Sequence, residues 1–300
     1  MALDFDMTFD PRYGEAVSVA PMVRRLTAEN SGPFTFHGTN TYLVGEKTLA
    51  VIDPGPEDDK HLQAILTAAG DAPITHIFVS HTHRDHSPLA AGLKAKTGAT
   101  VLAEGPHRAA RPLRLGETNP LDASADMDFL PDVMLADNML VEGDGWAIRA
   151  VHTPGHAANH VAFALEGTGI LFSADHVMAW STTIVAPPDG AMSDFMASLD
   201  KLIAREDRLL LPGHGGPVTD PAPFLRGLRT HRKMRERAIV ERLKSGDRTV
   251  PEMVAIIYRS TDPRLHGAAG LSVLAHLEDL AGRGIVKASE ISIDGSFHLA

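Results

Sequence analysis

Five histidines and two aspartates fall in four short runs between residues 81 and 214: His81, His83, Asp85 and His86 in SHTHRDHSPL, His156 in HTPGHAANH, Asp175 in FSADHV, and His214 in LPGHGGP. Imidazole nitrogens and carboxylate oxygens are the donors that borderline divalent cations prefer, and a mixed set accepts zinc, manganese or iron. Seven donors exceed what one ion takes. The pattern therefore predicts two neighbouring divalent metal ions, zinc in first place, with one carboxylate shared. In an extended HxHxDH run His81 and His83 point the same way while Asp85 and His86 diverge, so one loop can feed both ions. Single histidines outside these runs, such as His61, His107 and His298, read as packing or surface residues.

Each run follows an apolar segment of strand character: ITHIFVS, AIRAVHTP, ILFSAD and LLLPG. The donors are thus expected where loops leave the ends of a sheet, which is where open α/β sheets bind ligands. Upstream, TYLVG and LAVID read as a hairpin turning at Glu46 and Lys47. DKHLQAILTAAG and SPLAAGLKAKTG read as helices on either side of the strand THIFVS. Residues 105 to 140 are rich in Pro, Asp and Asn and read as a surface excursion bordering the site. Strands around 146–151, 161–165 and 170–173 and a helix in MSDFMASLDKLIARE resume the rhythm. Beyond Pro217 the pattern changes to a helix from near Pro221 to Gly246, a second opening at Thr249 with Pro251 behind its cap, a third in LSVLAHLEDLAGRG, and two short strands. That order suits a winged helix, and it divides the chain into a catalytic part, 1–220, and a tail, 221–300.

Residues from about Leu26 to Pro217 resemble the metallo-β-lactamase superfamily. Beyond the donor runs, GTNTYLVG (38–45) and VIDPGP (51–56) are similar to its opening strands and to a loop carrying a supporting aspartate. The resemblance implies an α/β fold, an αββα sandwich with a small C-terminal winged-helix-like domain. It also implies that His81, His83 and His156 hold one metal, that Asp85, His86 and His214 hold the other, and that Asp175 bridges them. One departure is Ala174, where the family usually has glycine before the bridging aspartate; it bears on local backbone freedom. Two cations about 3.5 to 4 Å apart lower the pKa of a shared water, generating a bridging hydroxide, and polarise the carbonyl or phosphoryl oxygen under attack. Asp85 is then the candidate catalytic residue, orienting that water or taking its proton. Asp53 reads as a support for a ligand histidine, while His160 and His176 either touch substrate or pack.

The chain has no cysteine, which excludes a disulfide framework and the antibiotic-hydrolysing class with a Cys thiolate on the second metal. A di-iron branch with a Glu ligand is disfavoured by the missing HxE arrangement. No stretch has the roughly 18 apolar residues of a membrane span, and the acidic start does not read as a signal peptide, so a cytoplasmic location is expected. Net charge is −10 overall, but residues 228–300 carry 12 Lys and Arg against 9 Asp and Glu. Seven of these cations (Arg229, Arg232, Lys233, Arg235, Arg237, Arg242, Lys244) fall on one helix. Together with FLPD (129–132) and the tail, this layout is similar to the β-lactamase-like protein 2 branch, which implies endoribonuclease action on single-stranded RNA. A small-molecule thioester, ester or lactone hydrolase of the glyoxalase II kind is the alternative. In that case the tail caps the pocket or forms a homodimer interface.

Overall fold

The computed structural model describes residues 3–114, 117, 119 and 122–300. A first sheet runs in the order β1 (Val17–Ala20), β2 (Val23–Thr27), β3 (Asn40–Val44), β4 (Leu49–Ile52), β5 (Ile74–Phe78), β6 (Thr100–Ala103) and β7 (Val133–Met134). Helix α1 (Asp59–Ala69) connects β4 to β5, and α2 (Leu89–Thr97) connects β5 to β6. These are crossovers between parallel strands, whereas β1 to β4 pair antiparallel. The second sheet has the order β12-β11-β10-β9-β8, from β8 (Leu140–Gly143), β9 (Trp146–His152), β10 (Val161–Leu165), β11 (Ile170–Ala174) and β12 (Leu209–Pro212). Helix α3 (Met192–Ile203) links its last two strands, which are parallel.

Both faces of each sheet are covered, which is why β3, β4, β10 and β11 are buried along their whole length and β4 and β10 are unbroken apolar runs rather than alternating ones. Tyr42, Phe78, Trp146, Phe163 and Phe172 fill the space between the sheets. Leu43, Val51 and Ile77 meet Ile65 of α1 and Leu93 of α2 on one outer face. Val151 and Leu171 meet Phe195 and Leu199 of α3 on the other. The expected αββα sandwich is present.

Of the stretch 105–140, positions 115, 116, 118, 120 and 121 lie outside the described residues. The rest does border the donor loop: Ser124 O and Thr82 O accept from Arg84 N and Asp126 N at 2.8 Å each, and Ser87 Oγ donates to Asp126 Oδ2 at 2.8 Å. Lys94 in the last turn of α2 pairs with Asp132 of the FLPD run, just before β7.

The tail is α4 (Pro221–Lys244), α5 (Val250–Ile257), α6 (His266–Gly282) and the hairpin β13 (Val286–Ala288) with β14 (Phe297–Leu299). Thr249 and Glu252 cap α5 reciprocally, each side chain meeting the other's backbone N–H. Helix α4 is shared between two cores. Its Leu225 and Leu228 pack with α3 and the second sheet, whereas Ile239 and Leu243 pack with Met253, Leu277 and Phe297. The seven cations from Arg229 to Lys244 do not form one open face. Arg232 is buried, Arg235 lies over the Tyr258 ring, and Arg229, Arg242 and Lys244 pair with Asp200, Asp247 and Glu241. Among the described residues no helix is long and apolar enough to cross a membrane.

Candidate metal centre

The loops that follow β5, β9, β11 and β12 end at one rim of the sandwich, and they bring all seven predicted donors together. Three overlapping groups have donor atoms within 4.8 Å of one another: His81 with His83 and His156, His81 with His86 and Asp175, and Asp85 with His86 and His214. The Nε2 atoms of His81 and His156 each lie 3.0 Å from Nδ1 of His83. Asp175 is central, with one oxygen 3.4 Å from His86 Nε2 and the other 3.3 Å from His214 Nε2 and 3.7 Å from His156 Nε2. Asp85 Oδ2 lies 3.2 Å from His214 Nε2 and 3.5 Å from His86 Nε2.

Supporting contacts decide which ring nitrogen faces inward. Nδ1 of His156 donates to Ile184 O at 2.7 Å and Nδ1 of His214 to Gly38 O at 3.1 Å, since a carbonyl can only accept. Asp53 accepts from Ser80 N, Ser80 Oγ and His86 Nδ1 at 2.7, 2.7 and 2.9 Å. Because the Ser80 proton goes to Asp53, its oxygen accepts from His81 Nδ1 at 3.0 Å. Four histidines thus have Nδ1–H engaged outside the centre and turn Nε2 lone pairs into it. The Nε2 atoms of His86 and His214 and Oδ1 of Asp175 are buried without a hydrogen-bond partner. A buried cluster with more lone pairs than protons is stabilised by a cation, so the donor set fits divalent metal.

The two halves differ electrically. Burial, reinforced by His86, His83 and His156, keeps His81 well below its ordinary pKa, and burial beside His156 pushes His83 down to about 3. For His86 and His214 burial acts in the same direction, but carboxylates outweigh it. Asp85, Asp175 and Asp53 hold His86 well above the ordinary value, and Asp175 with Asp85 lifts His214 to about 10. Protons and a metal ion compete for those lone pairs, which makes metal affinity depend on pH.

Four contributors had no signal as donors. Gly213 gives the space: a Cβ there would lie 2.4 Å from Asp175 Oδ1 and 2.8 Å from His86 Cε1. Asn40, in the GTNTYLVG run, clamps the His214 loop through Pro212 O and Gly215 O at 3.1 and 2.9 Å. Ser80 links Asp53 to His81. His107, read from sequence as packing or surface, is a partly buried residue with its ring covered, and it steadies the donor loop through Thr82 Oγ1 at 3.0 Å. Asp53 occupies the supporting position expected of it, with φ of +50°. Ala174 has φ of +44°, so this alanine adopts a left-handed conformation that glycine adopts at less cost. His160 and His176 are buried in packing positions, His160 bonded to Thr153 and His176 against Phe195.

A cavity of about 310 Å³ opens beside the centre. His156 and Asp175 form one wall, Met178, Trp180 and Ile184 another, and tail residues including Arg235, Tyr258 and Ala268 the third.

The metallo-beta-lactamase superfamily model matches residues 34–214, more than half of the chain. This protein belongs to the metallo-beta-lactamase superfamily. Superfamily members typically bind two metal ions, in agreement with the donor set, and the family is one of hydrolases. A second model, the beta-lactamase associated winged helix domain, matches residues 249–294. Among metallo-beta-lactamase relatives, the chain is 30% identical to the beta-lactamase-like protein 2 homolog of Drosophila melanogaster over 94% of this chain and 98% of that one. It is 26% identical to the atrochrysone carboxyl ACP thioesterase of Aspergillus terreus, covering 85% of this chain and 78% of that protein. A beta-lactamase domain protein from Burkholderia ambifaria shares the fold with a TM-score of 0.80 at 22% identity, over 99% and 97% of the two chains.

Proposed function

We propose that this hydrolase acts on small-molecule thioesters or esters in a pocket closed by its tail, with residues 1–220 carrying the chemistry and 221–300 completing the wall. The observation behind this reading is the cavity, whose lining includes two donors of the centre, side chains of α4 and α6, and Tyr258 just past the end of α5. Its volume, about 310 Å³, is that of a small-ligand site. The Aspergillus relative named as a thioesterase points the same way. Cleavage of single-stranded RNA, the reading the basic tail first suggests, draws less support, because five of the seven cations from Arg229 to Lys244 are turned inward or paired.

His81, His83 and His156 would hold one ion, Asp85, His86 and His214 the other, and Asp175 would lie between them. Zinc is favoured, with manganese or iron as alternatives. Bound divalent ions supply Lewis acidity for the carbonyl and lower the pKa of water. The chain's own residues do the rest. Asp85, whose side chain is a quarter exposed, is kept ionised because His86 and His214 outweigh its burial, and it accepts the hydrogen bond that orients the attacking water. Asp53 and Ser80 hold the donor rings in register, and Trp180 and Met178 exclude bulk water from the acyl side.

The test is an activity screen of the metal-loaded protein on acyl thioesters, lactones and single-stranded RNA, with His83→Ala as the control. Thioester or ester turnover that disappears in the variant supports the reading. RNA cleavage that falls steeply with salt, without ester turnover, overturns it.

A further inference from the structure

The cavity wall contributed by the tail carries positive charge that pairs with no carboxylate among the described residues. Arg232 is 3% exposed, and its Nη2 donates to Thr183 O while its Nε has no partner. Arg235, one helical turn away on the same face of α4, spends one donor on Ile257 O at 3.2 Å, and its Nε is also unpartnered. His231 and Ser272 line the cavity beside them, and His231 Nδ1 has no partner either. Among the described residues no carboxylate oxygen lies within 4.0 Å of either guanidinium, although other tail arginines are paired. Burial lowers Arg232 to about 10, and burial together with these two cations pushes His231 down to about 4.

Guanidinium forks with spare donors are costly to bury unless an anion meets them. Some of that cost is offset where Arg232 lies over Phe195 and Arg235 over Tyr258, at 4.8 and 4.7 Å from the ring centroids. Neither guanidinium donates to an oxygen of the ring beneath it, and the same cavity reaches His156 and Asp175. We infer that Arg235 and Arg232, with His231 and Ser272, form a subsite for an oxyanion, so that the substrates are esters or thioesters bearing a carboxylate or phosphate away from the scissile bond. This rests on the hydrolase reading above and narrows its substrate class. The fork geometry of arginine suits either anion. The apolar stretch between, formed by Met178, Ile184 and Ala268, takes the connecting carbon chain.

Matched substrates test the subsite and locate the anion. Glutaryl and valeryl thioesters of N-acetylcysteamine differ in an acyl carboxylate, whereas valeryl thioesters of phosphopantetheine and pantetheine differ in a phosphate on the leaving thiol. One pair should show a preference in kcat/KM of about 10- to 100-fold for the acidic member, the range expected of a charge-assisted hydrogen bond. Arg235→Met should bring that ratio to within about 2-fold of unity, and Arg235→Lys should retain part of it. No preference in either pair, or a preference that survives Arg235→Met, overturns the inference. If neither thioester nor ester is turned over, the proposed reading fails separately. Calorimetric titration of the loaded protein with glutarate and with inorganic phosphate then decides the subsite: a Kd that rises about 10-fold or more in Arg235→Met upholds it, and equal binding overturns it. Single-stranded RNA cleavage with no discrimination within the pairs also overturns it.

Discussion

Gly213→Ala offers a sharp test of how tightly the centre is built. The glycine has no requirement for a left-handed backbone, so alanine tests space alone. Its added Cβ would sit 2.4 Å from Asp175 Oδ1 and 2.8 Å from His86 Cε1, both below the 3.0 Å that real contacts respect. Relief requires the carboxylate or the His214 loop to retreat by at least about 0.6 Å, roughly three times the tolerance of about 0.2 Å in metal–ligand distance. Displacing an orienting contact costs about 10- to 100-fold in metal affinity, equivalent to about 1.4 to 2.7 kcal/mol. Competition with a chromophoric chelator measures it directly. Gly92→Ala serves as the control, because its Cβ meets nothing nearer than 3.8 Å and a helical alanine should add about 0.5 to 1 kcal/mol of stability. Affinity in Gly213→Ala within 3-fold of the native protein would refute the reasoning.

Three further outcomes are expected. Asp53→Asn places an amide donor where His86 Nδ1–H needs an acceptor, and metal affinity should drop about 10- to 100-fold with the fold intact, as read by chelator competition and circular dichroism. His61 is buried against Thr41, and burial pushes it down to about 4, below the unfolded value of about 6.5. Its contribution is therefore complete above pH 6.5 and is lost as pH falls towards 4, by up to about 3 kcal/mol. Urea midpoints between pH 7 and pH 5 should fall less steeply in His61→Gln than in the native protein. Thr249→Ala breaks the capping box of α5 and should cost about 1 kcal/mol in a thermal melt.

The donor runs were legible because metal chemistry restricts both residue type and spacing, and the sandwich because short apolar stretches such as those of β4 and β10 alternate with segments of helical spacing. The tail's helices and hairpin were legible from Thr249, Gly246 and the apolar spacing around Leu277. The orientation of the α4 cations was not. Arg232 and Arg235 share the helix with exposed Lys233 and Arg237, and only the packing of α4 against two cores determines which turn inward. Gly213 gave no signal of its own, because its close approach to Asp175 joins segments about forty positions apart. His107 resembled any stray histidine until Thr82 was placed beside it.

The single helix common to both cores has a mechanical consequence. Severing the chain before Pro221 would take Leu225 and Leu228 away from Phe195 and Leu199, leaving a greasy scar on the sandwich, so the winged region behaves as a buttress rather than a pendant. A swing of that region about a hinge would have to bend 24 residues of continuous helix. The spacing between the donor cluster and the guanidinium pair is therefore set like a fixed gauge, and under the proposed reading substrates of the wrong length would be turned away by rigidity.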